Sequence, residues 1–382
     1  MGDVTILGEC SESFGPAREA FESLFSAYGD VGASFAVVVD GETVLDLWGG
    51  WCDAARARPW THETIVNLYS TTKGITALAA AILVDRGLLD VDKPVIAYWP
   101  EFGAAGKAEI PVRWLLSHQA GLPVVDGEIA PRGVLKWSTM IELLERQAPS
   151  WQPGTKMGYH AITYGWLVGE VIRRITAKAP GAFIRDEIAE PLGVDFFVGT
   201  PASEDHRIAD MLMPGGNLAA TLATDGGSLA ARALGIGSPP GGAHVNSREW
   251  RAAELLAANG HGNAPALARI YGALARGGEV DGVRLVQPST IEAFTTEQAS
   301  GRDEVIGIEA RRGLGFILNS PGGRYHWGPN QCTFGHSGAG GSLGFADPDT
   351  RLGFGYAMNQ MMSGLSADPR WHVMIDAVYD CL

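Results

Sequence analysis

Apolar residues cluster in β-rich runs at both ends of the chain and recur with helical spacing between them. Positions 33–39 and 43–48 are such runs, and they meet at Asp40-Gly41, a hairpin turn signal. Near the far end, 341–346 and 352–358 flank Asp347-Pro348-Asp349-Thr350 in the same way, and a helix-like tail follows over 370–382. Between them the helical period governs 78–86, 112–117, 139–146, 164–175 and 183–189. Tyr164, Leu167, Val168, Val171, Ile172 and Ile175 form one apolar stripe. A later helix carries Leu267, Ile270, Tyr271 and Leu274 and ends at Gly277-Gly278. Strand-rich ends around a helix-rich middle predict an α+β chain, with one antiparallel sheet built from 1–75 and 235–382 and a mostly helical domain, 76–234, inserted. Pro/Gly-rich segments at 213–217 and 235–242 mark the return crossing. The seam between the two domains is where a substrate cleft is expected.

Composition narrows the function classes. A chain of 382 residues with 46% hydrophobic and 19% charged residues is globular and long enough for two domains. The net charge of −14, with no basic run longer than Arg173-Arg174 or Arg311-Arg312, argues against nucleic acid and against an anionic membrane surface as partners. The N-terminal residues lack a basic start and a long apolar region, and no stretch reaches ~18 apolar residues, so neither a secretory signal nor a membrane span is expected. A cytoplasmic location is the expectation. Cys10, Cys52, Cys332 and Cys381 are scattered without metal-ligand spacing, so free thiols are expected, with no metal and no cofactor.

The candidate chemistry centres on Ser70-Thr71-Thr72-Lys73. Serine and lysine three positions apart on a helix share one face, so the amine can reach the hydroxyl. Serine is a weak nucleophile and lysine, at a pKa of about 10.4, a poor base; half-burial and neighbouring cations cure both defects by lowering the lysine pKa. Ordinary capping chemistry explains the same four residues, so the tetrapeptide alone leaves both readings open. Three further segments bear on the choice. Pro153-Gly154-Thr155-Lys156-Met157-Gly158-Tyr159 presents a tyrosine, a proton relay if neighbouring cations lower its pKa from about 10. His336-Ser337-Gly338-Ala339, before a strand, offers close backbone approach and N–H donors for an oxyanion. His118, in Ser117-His118-Gln119-Ala120-Gly121, reads as a structural histidine at a helix C-terminus. Gly340-Gly341-Ser342-Leu343-Gly344 fits the Gly-x-Ser-x-Gly pattern, but a nucleophile elbow needs a helix after the serine, and 345–358 reads as a hairpin.

Ser-x-x-Lys, then Pro-Gly-x-x-x-x-Tyr, then His-Ser-Gly on a late strand, in that order over about 20–380, resembles the serine β-lactamase and penicillin-binding-protein superfamily. Leu115 to Leu122 resembles a stretch typical of its class C-like branch, and the family VIII carboxylesterases are the nearest group. The resemblance implies a β-lactamase/transpeptidase-like fold, an antiparallel sheet flanked by helices with an inserted helical domain. It implies Ser70 as acylated nucleophile, Lys73 as base, Tyr159 as proton relay, the N–H groups of Ser70 and Ala339 as oxyanion hole, and His336, Ser337 and Gly338 as substrate-binding residues. Two departures bear on the substrate. His336 stands where the lactamase pattern has a lysine, and Ala161 where it has an asparagine. With the missing export signal, both favour a plain ester over a β-lactam, and the chain is expected to be a serine carboxylesterase acting on small-molecule esters of short or medium acyl chain. A β-lactamase, an acyltransferase and a catalytically silent binding module share enough of these features to stay as alternatives. The sequence leaves the oligomeric state unknown.

Overall fold

Both ends of the chain meet in one antiparallel sheet of nine strands in a computed structural model, which describes residues 4–130, 132–213, 228–236, 245–362 and 368–382. In chain order the strands are β1 Ile6–Cys10, β2 Gly32–Val39, β3 Glu42–Gly50, β4 Ala299–Arg302, β5 Glu309–Arg312, β6 Ile317–Leu318, β7 Phe334–Ser337, β8 Leu343–Asp347 and β9 Leu352–Met358. Their spatial order is β1-β3-β2-β9-β8-β7-β6-β5-β4, so the β2/β9 pair joins the N-terminal strands to the C-terminal ones. Asp40 and Gly41 both take positive φ, 51° and 90°, as a two-residue turn matched to strand twist requires. One antiparallel sheet with helices packed against it is the α+β arrangement expected from the sequence.

The helices used below are α1 Gly15–Ala27, α2 Thr72–Asp85, α3 Val112–Leu116, α4 Trp137–Arg146, α5 Thr163–Thr176, α6 Ala264–Ala275 and α7 Pro369–Tyr379. Helix α6 lies on one sheet face, with Ala264 and Ala268 against Ala36 and Val38. Its approach is so close that a β-carbon at Gly353 or Gly355 of β9 would strike its backbone. Helices α1 and α7 pack together, and Phe21 of α1 begins a run of rings through Phe35, Phe354, Phe345 and Trp327, at centroid spacings of 5.8, 5.2, 4.7 and 6.1 Å. Each fully buried phenylalanine contributes about 2 kcal/mol over an exposed one.

Helices α2 and α5 pack on each other, and α3 and α4 pack against α5. The helical reading of 183–189 is modified: Pro180–Ile184 is α-helical, Arg185–Ala189 takes the wider π geometry, and Glu190–Leu192 closes the run. Pro191 has no N–H to return to Glu187, which removes one bond of an α-ladder there. A small sheet pairs Val66–Asn67 and Phe196–Phe197 on either side of His261–Gly262, drawing together the segments that surround Ser70. Most of the expected return crossing, from 214 in one segment and from 237 in the other, lies outside the described residues.

Candidate active site

Ser70 lies in the turn that opens α2, preceded by Tyr69 in the left-handed region at φ 43°. A non-glycine residue held there stores local strain and turns the chain sharply. The turn is fixed by Thr72, whose Oγ1 donates to the Tyr69 carbonyl at 2.5 Å and accepts the Gly260 N–H at 2.9 Å. Ser70 itself is half-buried. One turn on, Lys73 is fully buried, with Nζ 3.1 Å from Ser70 Oγ. The same nitrogen donates to the Ala161 carbonyl at 2.7 Å and the Ala257 carbonyl at 2.8 Å. Burial first, and the Arg312 charge second, hold this amine well below the ordinary lysine range.

The Tyr159 ring lies 4.8 Å from Lys73 Nζ, and the Ser70 hydroxyl is among the groups that act on the Tyr159 hydroxyl. The condition that cations lower its pKa is not met: burial pushes the hydroxyl above its ordinary value, and the Ser70 hydroxyl and Arg312 offset this only in part. Tyr159 therefore stays a phenol near neutral pH. The segment bearing it is braced from both sides. His118, at φ 62° after α3, accepts the His160 N–H on Nδ1 at 3.1 Å, and its carbonyl accepts the Gly158 N–H. The ring of His160 accepts the Leu122 N–H at 2.8 Å. On the other side Asp303 Oδ1 accepts the Tyr159 N–H at 2.9 Å. His118 is thus a buried, neutral brace, its pKa pushed well down by burial and then by Arg312.

Hairpin β7/β8 supplies the opposite wall. His336 is buried, stacked on Tyr159 at 6.3 Å, and bonded through Nδ1 to the Ser337 carbonyl at 2.8 Å. Burial pushes its pKa well down, so it carries no charge near neutrality. Gly338 sits so close to the Leu68 carbonyl, Thr71 and Ser342 that a β-carbon would collide with them. Ala339 follows in the turn. Among the described residues neither its N–H nor that of Ser70 is bonded to another group. Ser342 donates to the Leu68 carbonyl at 2.8 Å and lies 2.9 Å from Thr71 Oγ1, tying the hairpin turn to the Ser70 turn. Strand β8, not a helix, follows it, so the elbow geometry is absent there.

Residues 21–379 match the protein family described as Beta-lactamase. The chain belongs to that family. It is 37% identical over 371 residues to the esterase/beta-lactamase LipL of Mycobacterium tuberculosis strain H37Rv, covering 94% of this chain and 84% of that protein. Among solved structures, a family VIII carboxylesterase superposes with a TM-score of 0.90 at 44% identity, covering 99% of this chain and 100% of that one. A penicillin-binding-protein homologue from Caulobacter crescentus gives the same TM-score and coverage at 40% identity. The chain is accordingly a hydrolase with the β-lactamase fold.

Within this family framework the structure brings the half-buried Ser70 together with the buried Lys73, Tyr159 and His336, with Ser337, Gly338 and Ala339 across the Ser70 turn. Trp166 and Trp327 are buried in the core, and Trp151 meets His160 edge-on at 6.1 Å. Cys332, Asp347 and Asp349 are the one group among the described residues with ligand atoms within 4.8 Å of one another. Asp347 there already accepts from Asn330 at 2.8 Å and Tyr379 at 2.6 Å. Sequence reasoning missed Asp303, Arg312 and the Ala257 carbonyl. Arg311-Arg312 is legible only as a short basic run, and a carbonyl that receives an amine leaves no mark in the sequence.

Proposed function

We propose that this protein is a serine carboxylesterase that hydrolyses small-molecule esters of short to medium acyl chain through an acyl-enzyme on Ser70. The observation that carries the reading is the bonding of Lys73. A neutral amine has two N–H groups and one lone pair, and two carbonyls accept the N–H groups, so the lone pair is left for the Ser70 hydroxyl at 3.1 Å. Lys73 takes the serine proton as Oγ attacks the ester carbonyl carbon. The oxyanion rests on the Ser70 and Ala339 N–H groups, worth roughly 3 kcal/mol per donor. As the ester C–O bond breaks, the Tyr159 phenol protonates the departing alkoxide and recovers a proton from the Lys73 ammonium. Water then attacks the acyl carbon, gives its proton to the Lys73 and Tyr159 pair, and Ser70 leaves with a proton restored.

The ester is favoured over the lactam by what surrounds the nucleophile. His336 is buried and uncharged, and Ala161 offers its carbonyl to Lys73 and no side-chain amide to an acylamino group. The carboxylesterase with the same fold at 44% identity supports this reading. A second reading, ester hydrolysis with accompanying β-lactam turnover, is favoured by the double name of the Mycobacterium tuberculosis relative. We place the site at the seam between the helical insertion, 76–234, and the sheet-bearing remainder. The test is p-nitrophenyl butyrate and nitrocefin turnover by wild type and by Ser70→Ala. Ester turnover well above nitrocefin turnover, with both abolished in the variant, is expected; ester hydrolysis that persists in Ser70→Ala overturns the assignment.

A further inference from the structure

Arg312 ends β5 with its side chain turned inward and only 1% of the residue exposed. Its guanidinium lies over the Tyr159 ring at 5.1 Å. Its one ion pair is long, 3.3 Å from Nη2 to Asp303 Oδ2, and its Nε has no partner among the described residues. The other oxygen of Asp303 is committed elsewhere, accepting the N–H groups of Tyr159, Val305 and Ile306 at 2.9, 2.9 and 3.1 Å. A buried cation so loosely paired is under-compensated, and its field reaches far in a medium of low polarity.

The titratable groups facing Lys73 from the elements around it are His118, Tyr159, His160, Tyr164, Tyr271 and His336. All six are uncharged near neutrality, because burial pushes the histidines down, His160 to about 4, and the tyrosines up. Lys73 Nζ and the Arg312 guanidinium lie 4.8 and 5.1 Å from the centre of the same Tyr159 ring, so among the described residues Arg312 is the charge that acts on Lys73.

We propose that Arg312, clamped by Asp303, is a positioning residue for the Ser70 reaction, holding the segment that bears Tyr159 and supplying the fixed positive charge that keeps Lys73 in its base form. The inference rests on the reading of Lys73 as the base. It makes Asp303 and Arg312 one device. The carboxylate orders the backbone at Tyr159, and the guanidinium it retains sets the electrostatics of the same pocket.

The experiment is the pH profile of kcat/KM for p-nitrophenyl butyrate in Arg312→Gln, Arg312→Lys and Asp303→Asn. The positive charge disfavours the ammonium, so its removal raises the Lys73 pKa, and activity, which needs the free amine, is then lost at a higher pH. In Arg312→Gln the acid limb is expected to move up by about one pH unit, a roughly tenfold loss at a fixed pH on that limb. Arg312→Lys keeps the charge and holds the limb at the wild-type position even where turnover falls. Asp303→Asn removes the compensating anion and moves the limb to lower pH. Limbs that stay with wild type in both Arg312→Gln and Asp303→Asn overturn the proposal. If Arg312→Gln does not fold, the unmoved limb of Asp303→Asn alone overturns it. Fluorophosphonate labelling of wild-type Ser70 separates the two readings: absent labelling sinks the base assignment itself, whereas labelling with unmoved limbs sinks only the role of Arg312.

Discussion

Two buried lysines in this chain show why one of them suits a base. Lys107 donates to the carbonyls of Ala104, Glu145 and Gln147, which uses all three hydrogens of an ammonium, and burial lowers its pKa only to about 8. Lys73 meets two carbonyls and a hydroxyl, is fully buried and faces a buried guanidinium, so it is the easier of the two to deprotonate. Lys73→Met should lower kcat by about 10²- to 10⁴-fold in steady-state ester hydrolysis with the fold intact by circular dichroism. A loss below about tenfold would contradict its role. Because its pKa is depressed, activity is present above that pKa and falls as pH drops through it; the kcat/KM profile should show this single acid limb. Tyr159 supplies a sharper prediction. A phenol of raised pKa is a proton donor to a basic alkoxide, whereas nitrophenolate departs without a proton. Tyr159→Phe should therefore lose about 10²-fold or more on an alkyl ester such as ethyl butyrate, and clearly less on p-nitrophenyl butyrate. Equal losses on the two substrates would remove Tyr159 from leaving-group protonation.

Hairpin β7/β8 and the opening turn of α2 form one unit, joined where the buried Ser342 hydroxyl donates to the Leu68 carbonyl. Ser342→Ala leaves that carbonyl and Thr71 short of a partner and should cost about 1–3 kcal/mol in urea unfolding, while Ser70 still takes up a fluorophosphonate. Loss of labelling without loss of stability would reverse the roles of the two serines. The legibility of the elements follows their patterning. Strands β2, β3, β8 and β9 carry β-branched or aromatic residues and are legible in the sequence, as are α5 and α6 from their stripes. Strands β4 and β5, Ala-Ser-Gly-Arg and Glu-Ala-Arg-Arg, show no apolar alternation, since they owe their place to pairing with neighbours. For the same reason Arg312 escaped notice. Its burial depends on Asp303, nine positions earlier, and on a ring from another part of the chain. Ser70, Lys73 and Tyr159 were legible as ordered motifs; the distances and partners that make them a unit were not.

At the scale of the molecule, the C-terminal helix reaches the site from the far side of the sheet. Arg370 in α7 is fully buried between Asp30, at 2.5 Å, and Asp368, at 2.6 Å, and donates to the Gly340 carbonyl next to Ala339. Trp371 donates to the Gly341 carbonyl at 2.6 Å. The turn that offers the Ala339 N–H is thus held by α2 on one side and α7 on the other. Arg370→Met would leave two buried carboxylates without their counter-charge and should destabilise the protein by about 3–5 kcal/mol in denaturant unfolding; an unchanged midpoint would show that the pair does not matter. The proposed reaction turns on one oxygen atom, Ser70 Oγ. The most direct measurement is peptide mapping by mass spectrometry after a brief reaction with p-nitrophenyl butyrate and an acid quench. A butyryl group on the peptide containing Ser70, and none on that containing Ser342, is the predicted result. An adduct at Ser342, or turnover with Ser70 never acylated, would contradict it.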